Sequence, residues 1–152
     1  MKRVIKFFII FLFMIILTGC GETRKKVDPS EFQTKMMKNG FQILDSTNEM
    51  NYDYIVKIYV AKSTNYNIEY YNIIDEDYAS VFFQNNVDAI EKTIVGDKAT
   101  IAQENGNNFS KYTLLYGGRY KIVSRIDNTV IFLNVSDRYK NDVDGIIEEL
   151  GY

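Results

Sequence analysis

Between residues 28 and 152 the apolar positions change period several times, and the changes mark out the elements. Asp28-Pro29-Ser30-Glu31 reads as a helix start, with Asp as N-cap, Pro at the first helical position and Glu three residues after the cap. Phe32 and Met36, four apart, share one face of that helix, and Gly40 closes it so that Phe41 can fold back on the last turn. A short strand is expected over 41–44, then a polar loop over 45–53. The stretches 54–61 and 66–74 are rich in β-branched and aromatic residues and flank the turn Ser63-Thr64-Asn65, which predicts an antiparallel hairpin. Asp75-Glu76-Asp77 opens a second helix. Its stripe runs through Ala79, Phe82, Phe83, Val87, Ile90 and Ile94, and Gly96 is its expected end.

A weaker strand over 98–104 and a loop over 105–108 lead into three strands, 109–116, 119–126 and 129–135. Their connections are Gly117-Gly118 and Asp127-Asn128. A two-residue turn at Asp127-Asn128 sets Ser124 opposite Ile131, Ile122 opposite Leu133 and Tyr120 opposite Val135, which gives one mainly apolar face. A two-residue turn at Gly117-Gly118 would put Tyr116 beside Arg119. Keeping one face apolar instead predicts a three-residue turn with a bulge there. Ser136 is the expected cap of a last helix, striped by Tyr139, Val143, Ile146, Ile147 and Leu150 and ended by Gly151. The order α-βββ-α-ββββ-α predicts an α+β domain, a mainly antiparallel sheet with about three helices packed on it.

The first twenty residues have a different pattern. Lys2, Arg3 and Lys6 precede an unbroken apolar run from residue 7 to 17, followed by Thr18, Gly19 and Cys20. A helix over residues 4–19 would rise about 24 Å, short of the roughly 30 Å of a bilayer core. A charged start, a short apolar middle and small residues at a cut site make a secretory signal peptide. The sequence Leu17-Thr18-Gly19-Cys20 resembles the lipobox of bacterial lipoproteins, and Cys20 is the only cysteine in the chain. The resemblance covers this region alone. It implies cleavage before Cys20, a diacylglycerol thioether on its sulfur and an extracytoplasmic, lipid-anchored protein at the cell membrane. The expected organisation is a signal peptide over 1–19, the lipidated cysteine and a flexible basic tether over 20–27, and a single α+β domain over 28–152. Several acyl chains on one residue hold far more firmly than the single chain that gives only marginal attachment.

Charge separates the tether from the domain. Arg24, Lys25 and Lys26 face only Glu22 within the tether. From Asp28 onward there are 12 Lys and Arg against 19 Asp and Glu, a net of −7. A basic segment beside the membrane can attract anionic headgroups, and the acidic domain argues against nucleic acid as a partner.

The chemistry available is narrow. The chain has no histidine, which removes histidine-based catalysis and zinc sites, and acylation would occupy the lone thiol. No phosphate-binding glycine loop occurs, and no cofactor is expected. Asp75-Glu76-Asp77 is accounted for by the helix start. Asp142-x-Asp144-Gly145 fails as a calcium loop, because Lys140 and Gly151 would fall at the first and twelfth ligand positions.

The remaining candidate is the second face of the C-terminal strands. There Lys121, Val123, Arg125, Val130 and Phe132, on a face that also carries Asn134, could form a partner surface, with Lys111, Thr113 and Leu115 added from the adjoining strand. The competing arrangement puts a helix over the apolar members and leaves the charges at the fringe. The function expected from sequence is a membrane-tethered binding module without catalysis, its partner an envelope protein, a peptide or a glycan. The alternatives are a hydrolase working through two converging carboxylates and a structural subunit of an envelope complex.

Overall fold

The computed structural model describes residues 21–50, 52–96 and 98–152. The expected signal peptide and Cys20 lie outside the described residues. Three helices, α1 (Pro29–Lys38), α2 (Glu76–Glu91) and α3 (Lys140–Leu150), pack on one antiparallel sheet. Its strands are β1 (Gln42–Asp45), β2 (Ile55–Lys62), β3 (Asn67–Ile73), β4 (Thr100–Asn105), β5 (Phe109–Tyr116), β6 (Arg119–Ile126) and β7 (Thr129–Ser136). Across the sheet they run β1-β2-β3-β7-β6-β5-β4. The fold is α+β with the element order that the sequence pattern predicts.

Both faces of the sheet are buried, and this decides the register. On one face α1 and α3 cover Tyr59, Ile68, Tyr70, Ile122, Ile131 and Leu133. On the other, α2 lays Ala79, Phe83, Val87 and Ile90 over Ile58, Tyr71, Leu114, Val123 and Val130. The β6–β7 pairing is the expected one, with Ile122 opposite Leu133 and Ser124 opposite Ile131. The β5–β6 pairing is not. Tyr116 stands opposite Arg119, so Gly117-Gly118 is a two-residue turn with φ of +59° and +73°. The three-residue expectation assumed one apolar face. With a second layer below, Tyr112 and Leu114 bury beside Val123 while Phe109 and Leu115 serve the opposite cluster. The positive angles are those of a type I′ hairpin turn. A Cβ at Gly117 would meet nothing within 4 Å, so Gly117→Ala should cost only the left-handed backbone penalty, about 1–2 kcal/mol. Urea denaturation of wild type and variant measures that difference.

The caps are partly as expected. Asp75 accepts the Tyr78 amide at 2.9 Å. Asp28 and Ser136 make no side-chain cap, and Glu31 pairs with Lys35 at 3.1 Å instead of closing a capping box. A 3-10 turn (Asp137–Tyr139) precedes α3. Helix α2 stops at Glu91, short of Gly96, where the Thr93 hydroxyl takes the Ile90 carbonyl at 2.7 Å in place of a further helical turn. Helices α1 and α3 end alike. Gly40 and Gly151 take positive φ, and the next residues, Phe41 and Tyr152, return amides to Met36 and Ile147 at 3.0 Å and bury their rings. Burial pushes the hydroxyls of Tyr70 and Tyr152 above the ordinary tyrosine value.

The segment over 21–27, expected as a flexible tether, is a docked strap. Asn107 holds the Gly21 carbonyl at 2.8 Å, and Asn108 accepts the Arg24 amide at 2.9 Å. The Arg24 guanidinium stacks 3.8 Å over the Phe109 ring and pairs with Glu22 and Glu104 at 3.1 and 3.0 Å. Lys26 reaches Asn128 at 2.6 Å, and buried Val27 gives its carbonyl to the Tyr70 hydroxyl at 2.8 Å. The strap therefore crosses one end of the sheet, past the β4–β5 and β6–β7 turns. The β2–β3 and β5–β6 turns lie at the other end.

Candidate functional site

The five residues expected to form a partner surface are not one open patch. Helix α2 covers Val123 and Val130, both fully buried. Lys121 donates to Thr93 at 3.0 Å and Arg125 to the Asp127 carbonyl at 3.1 Å, so both lie at the fringe of the covered region. The expected additions Lys111, Thr113 and Leu115 fall on the opposite face, a consequence of the two-residue turn at Gly117-Gly118. Phe132 alone remains at an opening, half-buried.

Two of the openings in the described surface have opposite character. The larger, about 620 Å³, is a groove between α3 and strands β4–β5. Most of its charged side chains already have partners. Asp144 accepts from the Tyr120 hydroxyl at 2.7 Å and from Lys140 at 2.5 Å; Glu104 holds Arg24, and Lys111 donates to the Tyr152 main-chain oxygen at 3.2 Å. Of the acids lining the groove only Glu148 makes no such contact.

The other opening, about 550 Å³, lies where the sheet splits. Strands β3 and β7 pair only from Glu69 opposite Phe132 to Asn72 opposite Thr129. Both strands continue past that ladder, to Asn67 and Ser136, but are no longer paired with each other. The split is sterically explained on one face. There Tyr66 packs against Tyr139 at 5.4 Å and against Phe41 at 5.7 Å, and this wedge of rings joins the β2–β3 turn to the start of α3.

On the opposite face helix α2 lies over β6, β7 and β3, and none of its residues lines the opening.

Three cations line this fork: Lys62, Arg119 and Arg138. Among the described residues none has a carboxylate within 4.0 Å, although the domain is acidic overall. Arg119 is held in place by Asn134, whose side-chain oxygen accepts from Nε at 2.9 Å and whose carbonyl accepts from an Nη. Arg138 stacks 4.9 Å from the Tyr139 ring centroid. Glu69, the one acid lining the fork, accepts from the Tyr71 hydroxyl. Ser63 knits the β2–β3 turn, accepting the Asn65 and Tyr66 amides at 3.2 Å. The fork therefore combines fixed guanidinium groups, an apolar wall at Phe132 and strand edges without a partner across the gap.

Sequence reasoning found Phe132 but not the cations around it. Residues 62, 119 and 138 come from three separate segments, and only the β3–β7 pairing brings them together. Among the described residues no group of three or more His, Cys, Asp or Glu could hold a metal ion, and no helix is long and apolar enough to cross a membrane. No protein-family model matches the chain, and no curated protein or solved structure matches it either.

Proposed function

We propose that this protein is a lipid-anchored, extracytoplasmic binding module, without catalysis of its own, that presents the β3–β7 fork away from the cell membrane. The observation that carries this reading is the sequence Leu17-Thr18-Gly19-Cys20, placed directly after a charged start and an unbroken apolar run and containing the only cysteine. The strap supports it. Residue 21, next to the acylated cysteine in this reading, is fastened to Asn107, so little slack remains between the lipid and the domain. The end of the sheet that carries the 105–108 turn would then rest near the headgroups. The fork would stand about 24 Å further out, along the eight residues of β7. Tethering also raises the local concentration of the site at the membrane, so that modest recognition suffices.

The test is metabolic labelling with an alkyne fatty acid, followed by fractionation. Wild type should take up label and sediment with membranes. Cys20→Ser should take up none and leave the membrane fraction. A membrane-bound, unlabelled wild type would contradict the reading.

A further inference from the structure

We propose that the fork between β3 and β7 binds an acidic peptide segment of a partner protein. Arg119 and Arg138 would take its carboxylates, and Lys62 would add charge at the rim. This deepens the binding-module reading by naming the ligand class, and it rests on that reading for the compartment in which the partner is met.

Three observations converge on it. First, among the described residues the cations lining the fork have no carboxylate partner, whereas Arg24 and Lys140 in the larger groove each already hold one. An unpaired guanidinium fixed by a neighbouring amide is ready for a carboxylate. Arg119, bound to Asn134 through Nε and one Nη, keeps its other Nη available. Stacking of Arg138 on Tyr139 likewise limits its freedom and lowers the entropy lost on binding.

Second, the two strands continue past their shared ladder without pairing across the gap. Strand edges of this kind hydrogen-bond an extended backbone, a recognition mode in which main-chain bonds give affinity and adjacent pockets give selectivity. Third, half-buried Phe132 supplies an apolar contact between the charged groups. Unpaired strand edges and an aromatic wall match a peptide with alternating acidic and apolar side chains. A phosphate polymer would use the cations but neither of the other two features.

The experiment uses the full chain, extracted in mild detergent, and a fluorescent peptide of alternating Glu and Leu, with binding read by anisotropy. Its counterpart with Lys for Glu and inorganic polyphosphate serve as competitors. Arg119→Glu and Arg138→Glu should each weaken peptide binding about tenfold or more, and added salt should weaken wild-type binding. Lys62→Glu, at the exposed end of β2, should weaken it less and leave folding intact. Lys38→Glu, on the exposed side of α1, should change affinity by less than about twofold. The lysine peptide should not compete.

Affinity that survives all three fork substitutions overturns the proposal. So does an equal loss with Lys38→Glu, which would mark general charge attraction, and so does polyphosphate competing more strongly than the acidic peptide. Cys20→Ser separates the two claims: it should abolish membrane attachment and leave peptide affinity unchanged.

Discussion

Phe32→Ala is expected to destabilise the domain by about 3–5 kcal/mol, the range for deleting a fully buried aromatic ring. Phe32 has no exposed surface and stacks on Tyr70 at 4.6 Å with an interplanar angle of 21°. Tyr70 in turn lies 6.5 Å from Tyr59 and donates its hydroxyl to the strap at Val27. The ring thus joins α1, β3 and the strap, and its neighbours cannot all close the cavity at once. Phe32→Leu removes less of the buried volume and should cost less than the alanine change. Urea denaturation followed by far-UV circular dichroism measures both. A loss below about 1 kcal/mol for alanine would mean that α1 is not seated on the sheet as described.

Val27→Asp is the second large effect. Val27 is 3% exposed, and its carbonyl is the partner of a buried tyrosine hydroxyl. A carboxylate there cannot stay buried and ionised without a partner, so the strap should detach instead. Detachment exposes the side chain and orphans the Tyr70 hydroxyl, for a combined cost of about 3–5 kcal/mol. Trypsin should then cut readily at Arg24 and Lys25. Lys25→Asp, at an exposed strap position, should leave stability within about 0.5 kcal/mol of wild type. Resistance of the Val27→Asp strap to trypsin would contradict the docked geometry.

The sequence carried most of the architecture, for identifiable reasons. The stripes of α1 and α2 have helical spacing because each buries one side on the sheet. Asp127-Asn128 and Gly117-Gly118 were visible as turns because few residue pairs tolerate those angles. What misled was the assumption of a single apolar face. Strand β5 is apolar on both sides, so alternation could not choose between registers, and the two-residue turn moved Lys111, Thr113 and Leu115 to the other face. The strap was illegible because Val27 is a lone apolar residue in a polar run, with no period to announce its burial. Its partners, Asn107, Asn108 and Asn128, lie on turns 84 to 102 residues later. The fork was hidden for the same reason. A cation at position 62 says nothing of one at 138 until β3 is placed beside β7.

In the proposed arrangement a processed, acylated cysteine is fastened directly to a docked strap. Intact mass spectrometry of the protein extracted from membranes tests this most directly. The expected result is a polypeptide of residues 20–152 with the added mass of acyl chains, and a proteolytic fragment that locates them on Cys20. An unmodified species, or one that keeps residues 1–19, would contradict it.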